Sequence, residues 1–445
     1  MRIARIGQIS VVSFALAVSS LFVSSVALAV DVTADFRTGY GVSDNIARTS
    51  TGEIDEEFAF VGTTFNIIEQ SPRLNANVRA SADYLNYLSD TFEDQVIGGF
   101  LGDLSYAFIP ERLTWTIRDS YGQRLLDPLA QPSPGNRENV NNFITNLTLR
   151  IPLGVRNYFG VIGQYRSIAL EESSQFDNER VTGGIQIGRR LSSDTTLSLN
   201  AENERTKFDN GGLSSDFDIA NAFVRYEVQS ARNSITTDVG YTELDSDDGT
   251  EGDGFLLRMA WVRTITANTR FTCGAGSRYS DQGDIFTFSQ DISTDVGDTI
   301  DSVVDDSPFR NNYVFAQYRA NSARTQLNLN MQWSEDDFET GTTTTGDREV
   351  FAVSAGIRRD LTARLFTNLG LRVSRRDFKD LSQTDDQIDG IATLGFRFTP
   401  AFDISLSYLR VDRESNVVTQ EFTENRGVLQ FNFTPSWGRR TMAGQ

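Results

Sequence analysis

Histidine is absent from this sequence, and cysteine occurs once, as Cys273. Without an imidazole there is no Ser-His-Asp triad, no Cys-His pair and no histidine metal ligand. A single thiol makes neither an internal disulfide nor a thiolate zinc site. Lysine is almost missing too: Lys207 and Lys379 are the only two, so nearly every cation is arginine. The 41 Lys+Arg face 60 Asp+Glu, a formal net charge of -19, which excludes a nucleic-acid partner because phosphate binding needs a basic surface. Long apolar runs are confined to the start. There Arg2 and Arg5 precede the stretch Val11 to Val26, and Ala27-Leu28-Ala29 supplies an A-x-A cleavage site. Residues 1–29 therefore read as a secretory signal peptide, with the mature chain expected to begin near Val30. Beyond it no run of about 18 apolar residues occurs, so a helical membrane protein is excluded.

What is present is alternation. From Asp31 to Val42 the residues Val32, Ala34, Phe36, Thr38, Tyr40 and Val42 alternate with Thr33, Asp35, Arg37 and Gly39. The same period of two recurs in Leu74 to Leu88, Phe143 to Ile151, Phe255 to Trp261, Leu327 to Trp333, Leu365 to Val373, Ile404 to Tyr408 and Asn425 to Phe433. Period two marks strands with one apolar face, and these stretches are long enough to cross a bilayer when tilted. The links alternate in kind as well. Tight ones, as at Ser71-Pro72, Pro110 to Arg112 and Ser230 to Arg232, take turns with long polar ones, as at Ser43 to Glu56, Gly122 to Asn139 and Asp281 to Arg310. All nine prolines fall in turns, loops or strand ends, as a hydrogen-bonded ladder requires. The sequence thus predicts an all-β, transmembrane, antiparallel up-and-down barrel of about 20 strands, with short periplasmic turns and long extracellular loops. The barrel would span residues 30–435, followed by a tail at 436–445. A soluble propeller or pair of sandwiches is the competing reading, but its strands would be shorter and its links less regular.

About 20 strands enclose a space too wide for side chains to fill. With strand one starting at Val32, no room is expected for a plug domain of the siderophore-receptor kind. The polar parity places Arg37, Arg79, Arg118, Arg150, Arg166, Arg225, Arg258, Arg278, Arg319, Arg358, Arg372, Arg397 and Arg426 toward the lumen as candidate substrate-binding residues. Guanidinium groups fork onto carboxylates or phosphates, so an acidic glycan is a fitting cargo; equally, these arginines pair with lumen carboxylates such as Asp35, Asp83 and Glu227 and brace the wall. Bracing is weighted above direct binding. The loop Gly122 to Asn139, with three prolines and several leucines, is the better candidate constriction; the aspartate-rich Asp281 to Arg310 would narrow the pore and repel anions if folded inward, bind divalent cations bridging lipopolysaccharide if left outside, or simply be a solvated loop. Asp245 to Gly249 lacks calcium-loop spacing and reads as a turn. No catalytic residue, metal site or cofactor is expected, a carboxylate-only hydrolase being the sole formal enzymatic alternative.

Several segments resemble the beta-barrel porin-2 type, a family similar to the EpsL-like barrels of exopolysaccharide and capsule systems. They are Gly39 to Ile46, Pro110-Glu111-Arg112-Leu113-Thr114-Trp115, Asp119-Ser120-Tyr121-Gly122-Gln123 with Asn136-Arg137-Glu138-Asn139, and Glu424-Asn425-Arg426-Gly427. The resemblance implies a Gram-negative outer-membrane barrel that helps move a surface polysaccharide outward. Its expected partners are outer-membrane lipid, lipopolysaccharide and periplasmic export components. A general porin for small hydrophilic solutes is the alternative, and a non-conducting structural barrel is a third. Asp44-Asn45 and Asn136-Arg137 are read as stabilisers of loop bases.

Overall fold

The computed structural model describes residues 30–127, 129–209, 215–280, 307–339 and 346–435. The leader at 1–29, Pro128, Trp437 with the tail, and most of the Asp281 to Arg310 loop lie outside the described residues.

Twenty strands form one sheet. They are β1 (Asp31–Ser43), β2 (Glu56–Gln70), β3 (Leu74–Tyr87), β4 (Gln95–Ile109), β5 (Leu113–Leu125), β6 (Arg137–Leu153) and β7 (Asn157–Leu170). Next come β8 (Asn178–Arg190), β9 (Thr195–Phe208), β10 (Phe217–Gln229), β11 (Asn233–Ser246), β12 (Glu251–Thr266), β13 (Thr269–Ser280) and β14 (Phe309–Asn321). The last six are β15 (Thr325–Phe338), β16 (Arg348–Asp360), β17 (Leu365–Phe378), β18 (Gln383–Thr399), β19 (Phe402–Ser415) and β20 (Phe422–Phe433). Each strand pairs antiparallel with its sequence neighbours, and β1 pairs with β20, so the sheet closes on itself. The closing seam runs only from Phe36↔Phe433 to Ser43↔Arg426, leaving Asp31 to Asp35 without a β20 partner.

At one end the links are short, for example 71–73, 110–112 and 400–401; at the other they are mostly longer, for example 44–55, 126–136 and 416–421. A link at 88–94 separates β3 from β4, a break the alternation alone does not reveal, since it holds neither glycine nor proline. Serines cap several short turns. The backbone N–H groups of Leu74, Asn233 and Thr325 donate to the hydroxyls of Ser71, Ser230 and Ser322 at 3.1, 3.1 and 3.0 Å, which is the local reason these tripeptides reverse the chain.

The outward parity is apolar: Val61, Val96, Val181, Leu199, Leu371, Leu394 and Leu406 are each more than half or nearly half exposed. No helix among the described residues is long and apolar enough to cross a membrane; the strands do the crossing. Aromatic clusters belt the short-turn end, where Trp115 lies beside Phe108 and Trp261 meets Phe271 edge-on at 5.8 Å. Their apolar bodies and polar tips suit the boundary between lipid and water. Trp333 sits nearer the long-loop end and donates to Glu349 at 2.6 Å.

Candidate functional site

The ladder registers fix which residues share the inner wall. Starting from Arg37, the directly opposed pairs Arg37↔Gly62 and Gly62↔Asp83 lead round the barrel with one parity inward on every strand. All thirteen arginines expected in the lumen lie on that parity. The ladder adds Arg124, Arg180, Arg190, Arg270, Arg348, Arg376 and Arg413, which the sequence reading misses. Their signal was available, because each continues the inward alternation of its strand; only Arg124 falls inside a stretch, Gly122 to Asn139, that the sequence reads as a loop.

Glycine shapes this wall. Phe58 stands opposite Gly41, Phe60 opposite Gly39, Tyr158 opposite Gly188 and Phe366 opposite Gly395, and in each case a Cβ on the glycine would fall within the aromatic ring. The rings therefore lie flat on the neighbouring strand. Arginines then cover them: Arg150 sits 4.0 Å over Tyr158, Arg358 and Arg397 sit 5.0 and 4.8 Å over Phe366, and Arg426 sits 5.6 Å over Phe58. This stacking of glycine, ring and guanidinium holds charge at a set place on the inner surface.

The lumen arginines sort by height. At the long-loop end they are buried and paired. Arg124 reaches Glu138 at 2.8 Å, Arg348 reaches Asp336 at 2.6 Å, and Arg413 pairs with Asp385, both side chains fully buried. Arg180 is 3.8 Å from Glu204, and Arg426 is 2.6 Å from Glu424. At mid-height Arg37 donates to Asp83 at 2.6 Å and to Thr64 at 2.8 Å, Arg118 meets Asp103 at 2.6 Å, and Asp238 accepts from both Arg225 and Arg258 at 2.7 and 2.9 Å. Arg166, Arg278, Arg372 and Arg376 also have partners. Near the short-turn end Arg397 is paired with Asp360 at 2.7 Å. Arg79, Arg150, Arg270, Arg319 and Arg358 have no carboxylate partner among the described residues.

The long-loop end is covered along one arc. Glu424, buried on β20, accepts from Ser43 at 2.7 Å, from Arg48 at 2.8 Å and from Arg426. Arg48 belongs to the link 44–55, and it also donates to the carbonyl of Pro132 at 3.0 Å in the link 126–136. Gln95 donates to the Pro134 carbonyl at 3.1 Å, and Gln131 donates to the Thr419 carbonyl in the link after β19. Beneath these contacts Ile46 packs with inward-facing Phe58, Phe60, Leu85 and Tyr87, and Phe92 meets Tyr87 edge-on at 5.7 Å. An apolar core thus sits inside the lumen, where parity alone predicts a wet wall. Of the candidate constriction Gly122 to Asn139, the two ends belong to β5 and β6 and the link 126–136 joins this cover through Gln131, Pro132 and Pro134. The loop-base residues act within the chain: Asp44 accepts from the Asn425 N–H and side chain, both at 2.7 Å, and Asn136 clasps Asp127 from both sides at 2.8 and 2.7 Å.

Residues 320–434 match the family model described as "Putative beta-barrel porin 2". Over that stretch, and not over the rest of the chain, the sequence is similar to the porin 2 family. A closed 20-strand antiparallel barrel with an apolar outer face is of outer-membrane type, in which the short turns are periplasmic and the long links extracellular. No curated protein matches the sequence. Among solved structures it is similar to the FrpB iron transporter from Neisseria meningitidis, at 9% identity and a TM-score of 0.39, covering 91% of this chain and 82% of that one. It is also similar to the siderophore receptor PirA from Acinetobacter baumannii, at 8% identity and a TM-score of 0.43, covering 91% and 80%. A third is the ferric-catecholate import receptor Fiu from E. coli K12, at 9% identity and a TM-score of 0.37, covering 90% and 81%.

Proposed function

We propose that this outer-membrane barrel is a channel through which a surface exopolysaccharide or capsule polymer leaves the cell. The observation that carries the reading is the unequal treatment of the two ends. Links such as 71–73 and 400–401 are too short to reach across the periplasmic mouth, whereas at the extracellular end the links from β19 round to β6 interlock over the lumen. A cargo moving outward meets a polar, open vestibule first and the closure last. A cavity of about 590 Å³ at the extracellular end is lined by five acidic residues, Glu53, Asp386, Asp412, Glu414 and Glu421, against the one arginine Arg413. Such a lining repels an acidic polymer once it has emerged. Lipopolysaccharide around the wall and export components at the periplasmic face are the partners this role requires. The wall does its work by holding charge in place, with no catalytic step.

Deleting the gene is expected to abolish a surface glycan while leaving uptake of small nutrients unchanged. The reverse result would make the protein a general porin. In planar bilayers the refolded barrel is expected to conduct and to be blocked by polymer added from the periplasmic side. Steady conductance indifferent to polymer on either side would refute the export reading.

A further inference from the structure

The nine periplasmic turns repeat one contact. In each, the residue just before the ascending strand offers its carbonyl to an N–H of the neighbouring hairpin. Arg73 accepts from Ala107 at 2.8 Å, Arg112 from Arg150 at 2.6 Å and Arg156 from Arg190 at 2.7 Å. Arg232 accepts from Thr264, Arg324 from Asp360 and Arg364 from Arg397, each at 2.8 Å. In the other three turns the same carbonyl belongs to Asp194, Asn268 and Ala401, accepting at 2.7, 2.8 and 2.8 Å. The fold therefore asks this position for a carbonyl only, and an alanine, an asparagine or an aspartate supplies it. Six times the side chain is nonetheless arginine, in a chain with a net charge of -19. All six are exposed, and none has a carboxylate partner among the described residues. Structural need does not account for them.

Just above this crown lie Arg79, Arg150, Arg270, Arg319 and Arg358, lumen arginines without a carboxylate partner among the described residues. Two of them, Arg270 and Arg319, stand directly opposite one another on β13 and β14. Like charges in that relation repel unless an anion lies between them. Crown and inner tier together form a basic funnel that continues from the rim into the lumen. Phospholipid headgroups reach the rim from outside but cannot follow the inner tier, whereas a soluble chain can.

We infer that the periplasmic rim is a capture site for a polyanion, a glycan bearing regularly spaced carboxylate or phosphate groups, which the crown gathers and the inner tier draws into the barrel. The inference rests on the outward-channel reading and names its substrate class and threading end.

The test compares the full-length barrel with the variant R73Q/R112Q/R156Q/R232Q/R324Q/R364Q, after heat-modifiable mobility on gels shows that both are folded. Polygalacturonate is added to the periplasmic side of single channels, with neutral dextran of similar size as comparison. The expected result is block of the parent by polygalacturonate, with a rate that falls steeply as salt rises from about 0.1 to 1 M. The variant should be blocked roughly ten- to a hundredfold more slowly at low salt, with unchanged conductance for small ions. Equal block of both proteins, or equal block by dextran, would overturn the capture site while leaving the channel reading intact. Should neither polymer block the parent, binding of polygalacturonate in detergent decides: crown-dependent binding keeps the capture site and removes the channel, and no binding removes both. Crown-dependent binding to cardiolipin vesicles without binding to polygalacturonate would reassign the arginines to lipid.

Discussion

Replacing Glu424 with Gln should loosen the extracellular closure while leaving the barrel folded. The substitution keeps shape and removes one charge from a site where the carboxylate is fully buried and the Arg48 and Arg426 side chains are 8% and 9% exposed. Breaking a buried ion pair by removing one partner costs about 3–5 kcal/mol, because the remaining charge is left without compensation. Arg426 is fixed in β20 beside Phe58, so it cannot leave. Arg48 is carried by a link, so relief comes from swinging that link into water, which also surrenders the bond to Pro132. About 3 kcal/mol spent on this equilibrium changes the ratio of open to closed by a little over two powers of ten. Single-channel recording in planar bilayers is the assay: E424Q should show open events on the order of a hundredfold more often than the parent. The pair Arg118 and Asp103, whose side chains are 47% and 38% exposed, serves as control, and D103N should leave the record unchanged. If folded E424Q gates like the parent, Glu424 is not the latch and the closure must be held elsewhere.

Three further outcomes are expected. Gly395→Val drives a side chain into the Phe366 ring and should lower stability by about 1–3 kcal/mol in urea unfolding of the reconstituted barrel, whereas Gly356→Val, which meets nothing, should not; equal effects would contradict the packing argument. Cys273 lies outward, opposite Trp261 and Ala316, so a water-soluble maleimide should leave it unlabelled in liposomes while Ser407→Cys, on the lumen parity, reacts in a C273S background; rapid labelling of Cys273 would reverse the face assignment. Asp177, in the extracellular link 171–177, has its carboxyl pushed up to about 6 mainly by burial, against a 2.7 Å hydrogen bond from the Leu170 N–H that favours the charged form. A raised carboxyl binds its proton more tightly in the folded state, so the link should lose stability as pH rises from about 4 through 6. D177N retains an acceptor for Leu170, and hydrogen exchange of the link should become flat with pH; a slope equal to the parent's would rule Asp177 out.

The barrel was legible because its signal is repeated: Val32 to Val42 and Leu327 to Trp333 state the same alternation, and serine-capped turns such as Ser71 to Arg73 punctuate it. The break at 88–94 was hidden because it holds neither glycine nor proline, leaving Ser89, Asp90 and Asp94 as its only chain-reversing types. The faces of the thirteen arginines were also readable, since parity is local. Their partners were not. Whether an arginine is neutralised depends on a neighbouring strand's register, as Arg413 with Asp385 and Arg358 with no carboxylate illustrate. The apolar core within the lumen was invisible for a different reason: in Phe58-Ala59-Phe60-Val61 both parities are apolar, so nothing in the run tells which rings turn inward. Only the glycines opposite, Gly41 and Gly39, decide it.

The seam between β1 and β20 has a bearing on how the molecule comes into being. Its two strands lie almost at opposite ends of the chain, so the last ladder to zip joins residues such as Phe36 and Phe433 that synthesis releases far apart. Until then both edges offer unpaired backbone groups that hydrocarbon cannot satisfy. Closure and membrane insertion must therefore proceed together, and the seam from Phe36 to Ser43 is where amide exchange should first report the ring beginning to unfasten.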